Sequence, residues 1–181
     1  MKPNLTRWWE ESWDSKAARN EMGRASHASK WKTFSAGHKE YDKAVRMCPR
    51  KMWDWSPRPG THWSMREVIW HLADTEANIY IRLRKAAAES GSSVVSWDQM
   101  KWAKASNYRR LNPDMALALW GVLRTANVDL VKRLPAKAWK KKVRHPDHGF
   151  VTLEWNVAMA GWHLRHHLAQ MCRRLREYKQ R

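Results

Sequence analysis

Apolar residues recur every three or four positions through four long stretches of this chain, and that period commits it to packing helix on helix. The first stretch runs from about Thr33 to Cys48, carries Tyr41, Ala44, Val45 and Cys48 on one stripe, and stops before Pro49. The second opens with Ser64 as N-cap and Glu67 three positions on, a capping box, and continues to the break at Gly91. Its seam is Val68, Leu72, Ile79, Leu83 and Ala86. The third begins at Asn112-Pro113-Asp114 and ends before Pro135, with Met115, Leu119, Val122, Leu123, Ala126, Leu130 and Val131 expected inward. The fourth runs from near Thr152 to about Tyr178 on the seam Val157, Gly161, Leu164, Leu168, Met171 and Leu175. Only Gly149 to Leu153 reads as extended. The fold class predicted is all-α, an antiparallel four-helix bundle.

Residues 31–181 form the bundle domain on this reading. Residues 1–30 are an N-terminal extension, either an extra helix built on Trp8, Trp9 and Trp13 or a partly ordered tail. The connection over 91–111 is long for a bundle, and its Trp97, Met100, Trp102 and Tyr108 predict that it packs over one end. The longest apolar run, Met115 to Leu123, is far short of a membrane span, and the acid-bearing N-terminus resembles no targeting peptide. Cys48 and Cys172 show no CxxC spacing, as in a reducing compartment. The expectation is a soluble cytoplasmic protein.

Two features of composition are unusual. There are 14 Trp against two Phe and four Tyr, for which the sequence offers no physical account; exposed ones are candidate homodimer contacts. The chain also carries 35 Lys and Arg against 17 Asp and Glu. The excess concentrates between Lys137 and Arg144, so Lys140, Lys141, Lys142 and Arg144 are candidate contacts for nucleic acid, without sequence preference. The alternative is a solvated face.

Chemistry points to the histidines. His163 and His167 stand one turn apart on the fourth helix and project from the same side, a spacing that can chelate one ion. They border the Leu164/Leu168 seam beside Asn156 and Gln170; on the second helix His71 borders its own seam near Asn78 and Arg82. Two polar flanks beside apolar seams are what lines a cavity between helices. Three imidazoles without a fourth protein ligand make an open site suited to zinc or nickel. Asp74, one turn from His71, either orients a ligand imidazole or is a solvated carboxylate, and His166 is the other nearby proton acceptor. Asn78, Arg82, Asn156 and Gln170 are the pocket candidates. His145 and His148 flank a turn and read as loop-stabilising.

The segments WSPRPGTHWSMREVIWHLADTE at 55–76, LNPDMALALWGVLRTANVDLVKRLP at 111–135 and HPDHGFVTLEWNVAMAGWHLRHHLAQM at 145–171 resemble the DinB/YfiT superfamily. The resemblance covers about residues 33–175; its most specific element is the HxxxH of the fourth helix together with HLAD of the second. It implies a four-helix bundle with a three-histidine metal centre, on which His71, His163 and His167 match the ligands and His166 a neighbouring histidine that is not one. The family includes bacillithiol S-transferases and mycothiol-dependent relatives. The resemblance therefore implies transfer of a low-molecular-weight thiol onto a small electrophile, with the thiol as co-substrate. Metal-assisted hydrolysis of small amides or esters is the alternative; a non-catalytic basic bundle is a third.

Overall fold

A computed structural model describes residues 20, 22–59 and 62–181; Trp8, Trp9 and Trp13 lie outside the described residues. Four long helices carry the fold: α1 (His27–Arg46), α2 (Met65–Ala88), α4 (Pro113–Arg133) and α5 (Leu153–Lys179), with a short α3 (Gln99–Ala105) in the 91–111 connection. α1 packs on α5, α5 also on α2, and α2 on α4, so that α1 and α2 sit diagonally although consecutive in sequence. The chain crosses between them through a 3-10 turn at Arg50–Met52.

Local signals explain most boundaries. Ser64 accepts from the Glu67 amide while the Glu67 carboxylate accepts from the Ser64 amide, completing the capping box. Asn112 caps α4 ahead of Pro113, and the Thr152 hydroxyl caps α5 by accepting from the Trp155 amide. α1 starts earlier than the expected Thr33, at His27, because Ser26 accepts from the Ser29 amide and supplies the cap. Met22, ahead of that cap, is buried in the core. Close approach of α1 to α5 needs small residues: a Cβ at Gly161 would meet Thr33 Cγ2 at 2.9 Å, and one at Gly37 would meet Leu164 Cδ2 at 2.6 Å.

Two expectations need correction. The basic connection after α4 is not loop alone: Lys142–His145 (β1) pairs antiparallel with Gly149–Thr152 (β2). Lys142 and Arg144 point outward while Val143 and His145 are buried, so period-2 alternation was hidden inside a charge run. The segment after α2 runs beside β1, with Val94 N–H donating to the Arg144 carbonyl at 3.0 Å. Secondly, the inward face of α4 is Ala116, Leu117, Trp120, Arg124, Asn127 and Val131, whereas Met115, Leu119 and Val122 are exposed. The start of α4 is apolar nearly all round, so periodicity could not fix its phase. Among the tryptophans of the described residues, Trp102 is exposed, while Trp53, Trp120 and Trp162 are buried.

The phase of α4 is set by polar groups. The Glu76 carboxylate, 1% exposed, accepts from Arg124 Nη2 at 2.5 Å and from Asn127 Nδ2 at 2.7 Å. Arg124 also donates to the Phe34 carbonyl of α1 at 3.0 Å, and Arg84 donates to Asn127 Oδ1 at 2.9 Å. Three helices thus share one buried ion pair. Removing one partner strands a charge, so Glu76→Ala is expected to cost about 3–5 kcal/mol in urea unfolding. Leu119→Gln, on the exposed face, should stay within about 0.5 kcal/mol. A large loss for Leu119→Gln with none for Glu76→Ala would restore the phase expected from periodicity.

Candidate metal centre

His71 comes from the first half of α2, and His163 and His167 from consecutive turns of α5, where the two helices pack together. All three side chains are buried. His71 Nε2 lies 3.0 Å from His163 Nε2, which lies 3.1 Å from His167 Nε2, and one ligand atom from each falls within 4.8 Å of the others. The His167 Nδ1 is 3.1 Å from Gln170 Oε1, an oxygen that only accepts, so the ring proton sits on Nδ1 and leaves Nε2 a lone pair. Trp97 stacks on His71 at 5.6 Å and Trp63 lies 5.1 Å away on a tilt. These two rings give part of the Trp excess a role: they wall the imidazole in.

Burial governs the protonation of the cluster. It holds His71 well below the ordinary imidazole range, reinforced by His167 and His166; His163 is lowered by burial and then His71, and His167 by burial and then His163. The three rings are therefore neutral, the form that ligates. With the His167 lone pair at Nε2, whichever tautomers His71 and His163 adopt, at most one hydrogen bond of the cluster is satisfied and one converging nitrogen is left over. A single cation can take a lone pair from all three. Nitrogens held about 2.0–2.1 Å from a tetrahedral ion would be ~3.3 Å apart, near the separations seen. The donor set fits a divalent metal.

The other candidate residues are placed as follows. The Asp74 carboxylate accepts from the Tyr108 hydroxyl rather than from a ring; burial raises its pKa, and Tyr108, itself buried, is raised as well. This bond fastens the 91–111 connection, which does not cover one end of the bundle but runs back along α2, from Val95 beside Arg82 to Leu111 beside Arg66, with Met100 and Trp102 exposed. His166 is half-buried, stacked on Trp162 at 5.6 Å and edge-on to His167 at 5.1 Å. Asn78 donates to the Asp74 carbonyl and Asn156 to the Thr152 carbonyl, both within their own helices. Gln170 holds His167. Lys140, Lys142 and Arg144 are exposed, whereas Lys141 turns back to donate to the Ala87 carbonyl.

A cavity of about 300 Å³ opens from His71 and His163 and is lined further out by Thr75, Arg82, Trp97, Met100, His145 and Met159, with Ser96, Asp98, Gln99 and Asp147 completing it. Of the four pocket candidates, Arg82 alone lines it. His145 is the residue that sequence reading missed. Its signal was the buried-exposed alternation of β1, which turns it inward with Val143.

A mostly helical bundle with an interhelical cluster of neutral histidines at the floor of a cavity is a metal-binding architecture. The chain belongs to the DinB superfamily, whose profile matches residues 33–171. A protein of Oceanobacillus iheyensis named as a candidate metal-dependent hydrolase is 33% identical over 115 residues, 62% of this chain and 66% of that one. A similarly named protein of Bacillus cereus is 30% identical over 132 residues, 73% of this chain and 75% of its own length. Among solved structures, YfiT from Bacillus subtilis, described as a candidate metal-dependent hydrolase with an unusual four-helix bundle topology, superposes with a TM-score of 0.75 at 25% identity, covering 91% of this chain and 90% of YfiT. The mycothiol-dependent maleylpyruvate isomerase superposes with a TM-score of 0.65 at 15% identity over 81% of this chain and 61% of its own, a likeness of fold.

Two outcomes follow from the protonation and contacts of the cluster. Below about pH 6.5 the unfolded chain protonates histidines that the folded, metal-free chain keeps neutral. The unfolded state then binds more protons, so stability falls with acidification. His145, pushed down to about 4 by burial first and Arg82 second, extends that loss across the window from about 6.5 to 4. Urea-unfolding free energies of EDTA-treated protein should decline through this window, and less steeply in His145→Gln; equal slopes would remove His145 from the account. Gln170→Leu should weaken metal affinity about 10–100-fold in chelator competition, because His167 loses its orienting acceptor. Undiminished affinity would show that the Gln170 contact does not matter to the ion.

Proposed function

We propose that His71, His163 and His167 hold one divalent ion, zinc or nickel, and that the chain transfers a low-molecular-weight thiol onto a small electrophile at that ion. Convergence of the three Nε2 atoms at the floor of a cavity is the observation that carries the metal reading. A divalent ion held by these three residues would supply Lewis acidity, bringing a bound water's pKa to about 7 and favouring the thiolate of a bound thiol.

The choice between thiol and water rests on what surrounds the histidines. Hydrolysis of an amide needs a group that takes a proton from water and returns it to the leaving nitrogen. Asp74 is engaged by Tyr108, His166 is packed on Trp162, and neither lines the cavity. The carboxylates that do, Asp98 and Asp147, are exposed and stand at its outer part. A thiol displacing a halide from carbon gives up its proton once, the halide leaves as the anion, and no acid is needed afterwards. Trp97, Met100 and Met159 meanwhile exclude water from the reacting carbon.

Hydrolysis is the second reading, supported by the names carried by the Oceanobacillus and Bacillus relatives. Mass spectrometry of purified protein should find about one zinc or nickel per chain, lost in His71→Ala and His163→Ala. With the metal in place, bacillithiol, mycothiol or glutathione should be conjugated to monochlorobimane at a rate that falls at least about a hundredfold in either variant. Turnover of 4-nitrophenyl acetate without conjugation would select hydrolysis. A wild type that neither contains nor takes up zinc or nickel would overturn both.

A further inference from the structure

Arg82 stands about three turns beyond His71 on α2, roughly 16 Å of helix rise. It is 7% exposed, yet its guanidinium has a single hydrogen-bond partner, the Val95 carbonyl at 3.3 Å, and its Nε is buried without one. Among the described residues no carboxylate pairs with it. Asp147, the acid whose field supports its charge, accepts instead from Ser96 Oγ at 2.8 Å. A buried guanidinium without a counter-anion is costly for a fold to retain.

Comparison with the other buried arginines isolates what is particular about this one. Arg124 is matched by Glu76 at 2.5 Å. Arg174 also has unpartnered nitrogens, but the space beside it is about 10 Å³, room for one water at most. Arg82 lines the cavity of about 300 Å³ that ends at His71 and His163. Beside it are further unspent donors. The buried Thr75 hydroxyl has no partner, and His145 accepts the Asp147 amide on Nδ1 at 3.2 Å, which puts its ring proton on Nε2.

We infer that this cavity binds a small organic monocarboxylate, its carboxylate on the Arg82 guanidinium and its reactive end at the three histidines. Only the role of the reactive end rests on the metal reading. Charge counting selects a monoanion: among the described residues Arg82 is the single cation lining the cavity, His145 is held low by burial and by Arg82, and Asp98 and Asp147 oppose a second negative charge. A phosphate dianion would meet one cation and two carboxylates. The walls Trp97, Met100 and Met159 suit an apolar body between the ends. Side chains lean toward a helix's N-terminus, so the guanidinium reaches back toward His71 and the ligand bridges only part of the helical rise.

The test is titration of EDTA-treated protein, read by tryptophan fluorescence, with monocarboxylates from acetate to 4-phenylbutyrate. Each is set beside its neutral amide and beside inorganic phosphate. Because no metal is present, a carboxylate cannot bind by ligating one. At least one carboxylate should bind about tenfold more tightly than its amide and more tightly than phosphate, as a charge-assisted bond to a buried guanidinium predicts. The preference should vanish in Arg82→Gln and return in part in Arg82→Lys, while circular dichroism shows Arg82→Gln melting no lower than wild type. A wild type without the preference, a preference that survives Arg82→Gln, tighter binding of phosphate, or an Arg82→Gln variant that unfolds each overturns the assignment. Metal content of the reloaded proteins is measured separately: a wild type that prefers carboxylates but takes up no metal fails the metal reading alone, and one that takes up metal without the preference fails this one alone.

Discussion

A carboxylate at the centre of the bundle has to be answered on every side, and Glu76 is answered by Arg124, by Asn127 and, through Asn127, by Arg84. Hydrophobic contacts tolerate rotation of a helix about its axis; this ion pair does not. It turns one face of α2 toward α4. His71 lies five positions before Glu76, about 140° round the helix, and Thr75 and Arg82 lie within about 40° of His71. Holding Glu76 against α4 therefore delivers His71, Thr75 and Arg82 together to the side occupied by α5 and the hairpin. The polar core carries the registration that the site needs.

The same pair explains which parts of the structure were legible in the sequence. His163 and His167 announced themselves by spacing, and His71 by its place beside a seam that the structure keeps, with Val68, Leu72, Ile79, Leu83 and Ala86 all buried. The capping box at Ser64 was readable because its two residues satisfy each other locally. α4 was not readable in phase. From Met115 to Leu123 it is apolar on every side, and the residues that decide its orientation, Arg124 and Asn127, look like surface residues until a buried carboxylate on another helix is known. His145 was hidden for a related reason. The charges of Lys142 and Arg144 masked a strand whose alternate residues face inward. For α4 the missing information was a contact distant in sequence; for β1 it was a local alternation overlaid by charge.

Burial sets the chemistry of the histidine cluster more than any single neighbour. It is the largest influence on all three rings and holds each of them well below the ordinary imidazole range. Trp63 and Trp97 contribute to that burial, and the Asp74–Tyr108 bond fastens the connection that carries Trp97. Asp74, a candidate to orient a ligand imidazole, instead fastens the segment that packs Trp97 on His71. The cost of dry, unprotonated imidazoles would be offset when an ion satisfies the converging nitrogens, so metal binding would stabilise the packing around this cluster.

The hairpin joins the surface charge to the cavity. Its inward residue His145 and its turn residue Asp147 line the cavity, while Lys142 and Arg144 face outward from the same four-residue strand. The densest positive charge in the chain is thus attached to a wall of the cavity that contains Arg82. Screening confines such a field to about 8 Å at physiological ionic strength, far enough to act at that entrance and too short to act across the molecule. Within that range it raises the local concentration of small anions irrespective of their shape. Selection would be left to the cavity itself, where two carboxylates at the outer part, apolar walls and one buried guanidinium would admit a narrower class than the surface attracts. On the carboxylate reading, the basic outer face of the hairpin and the cavity behind it would act in succession on one ligand.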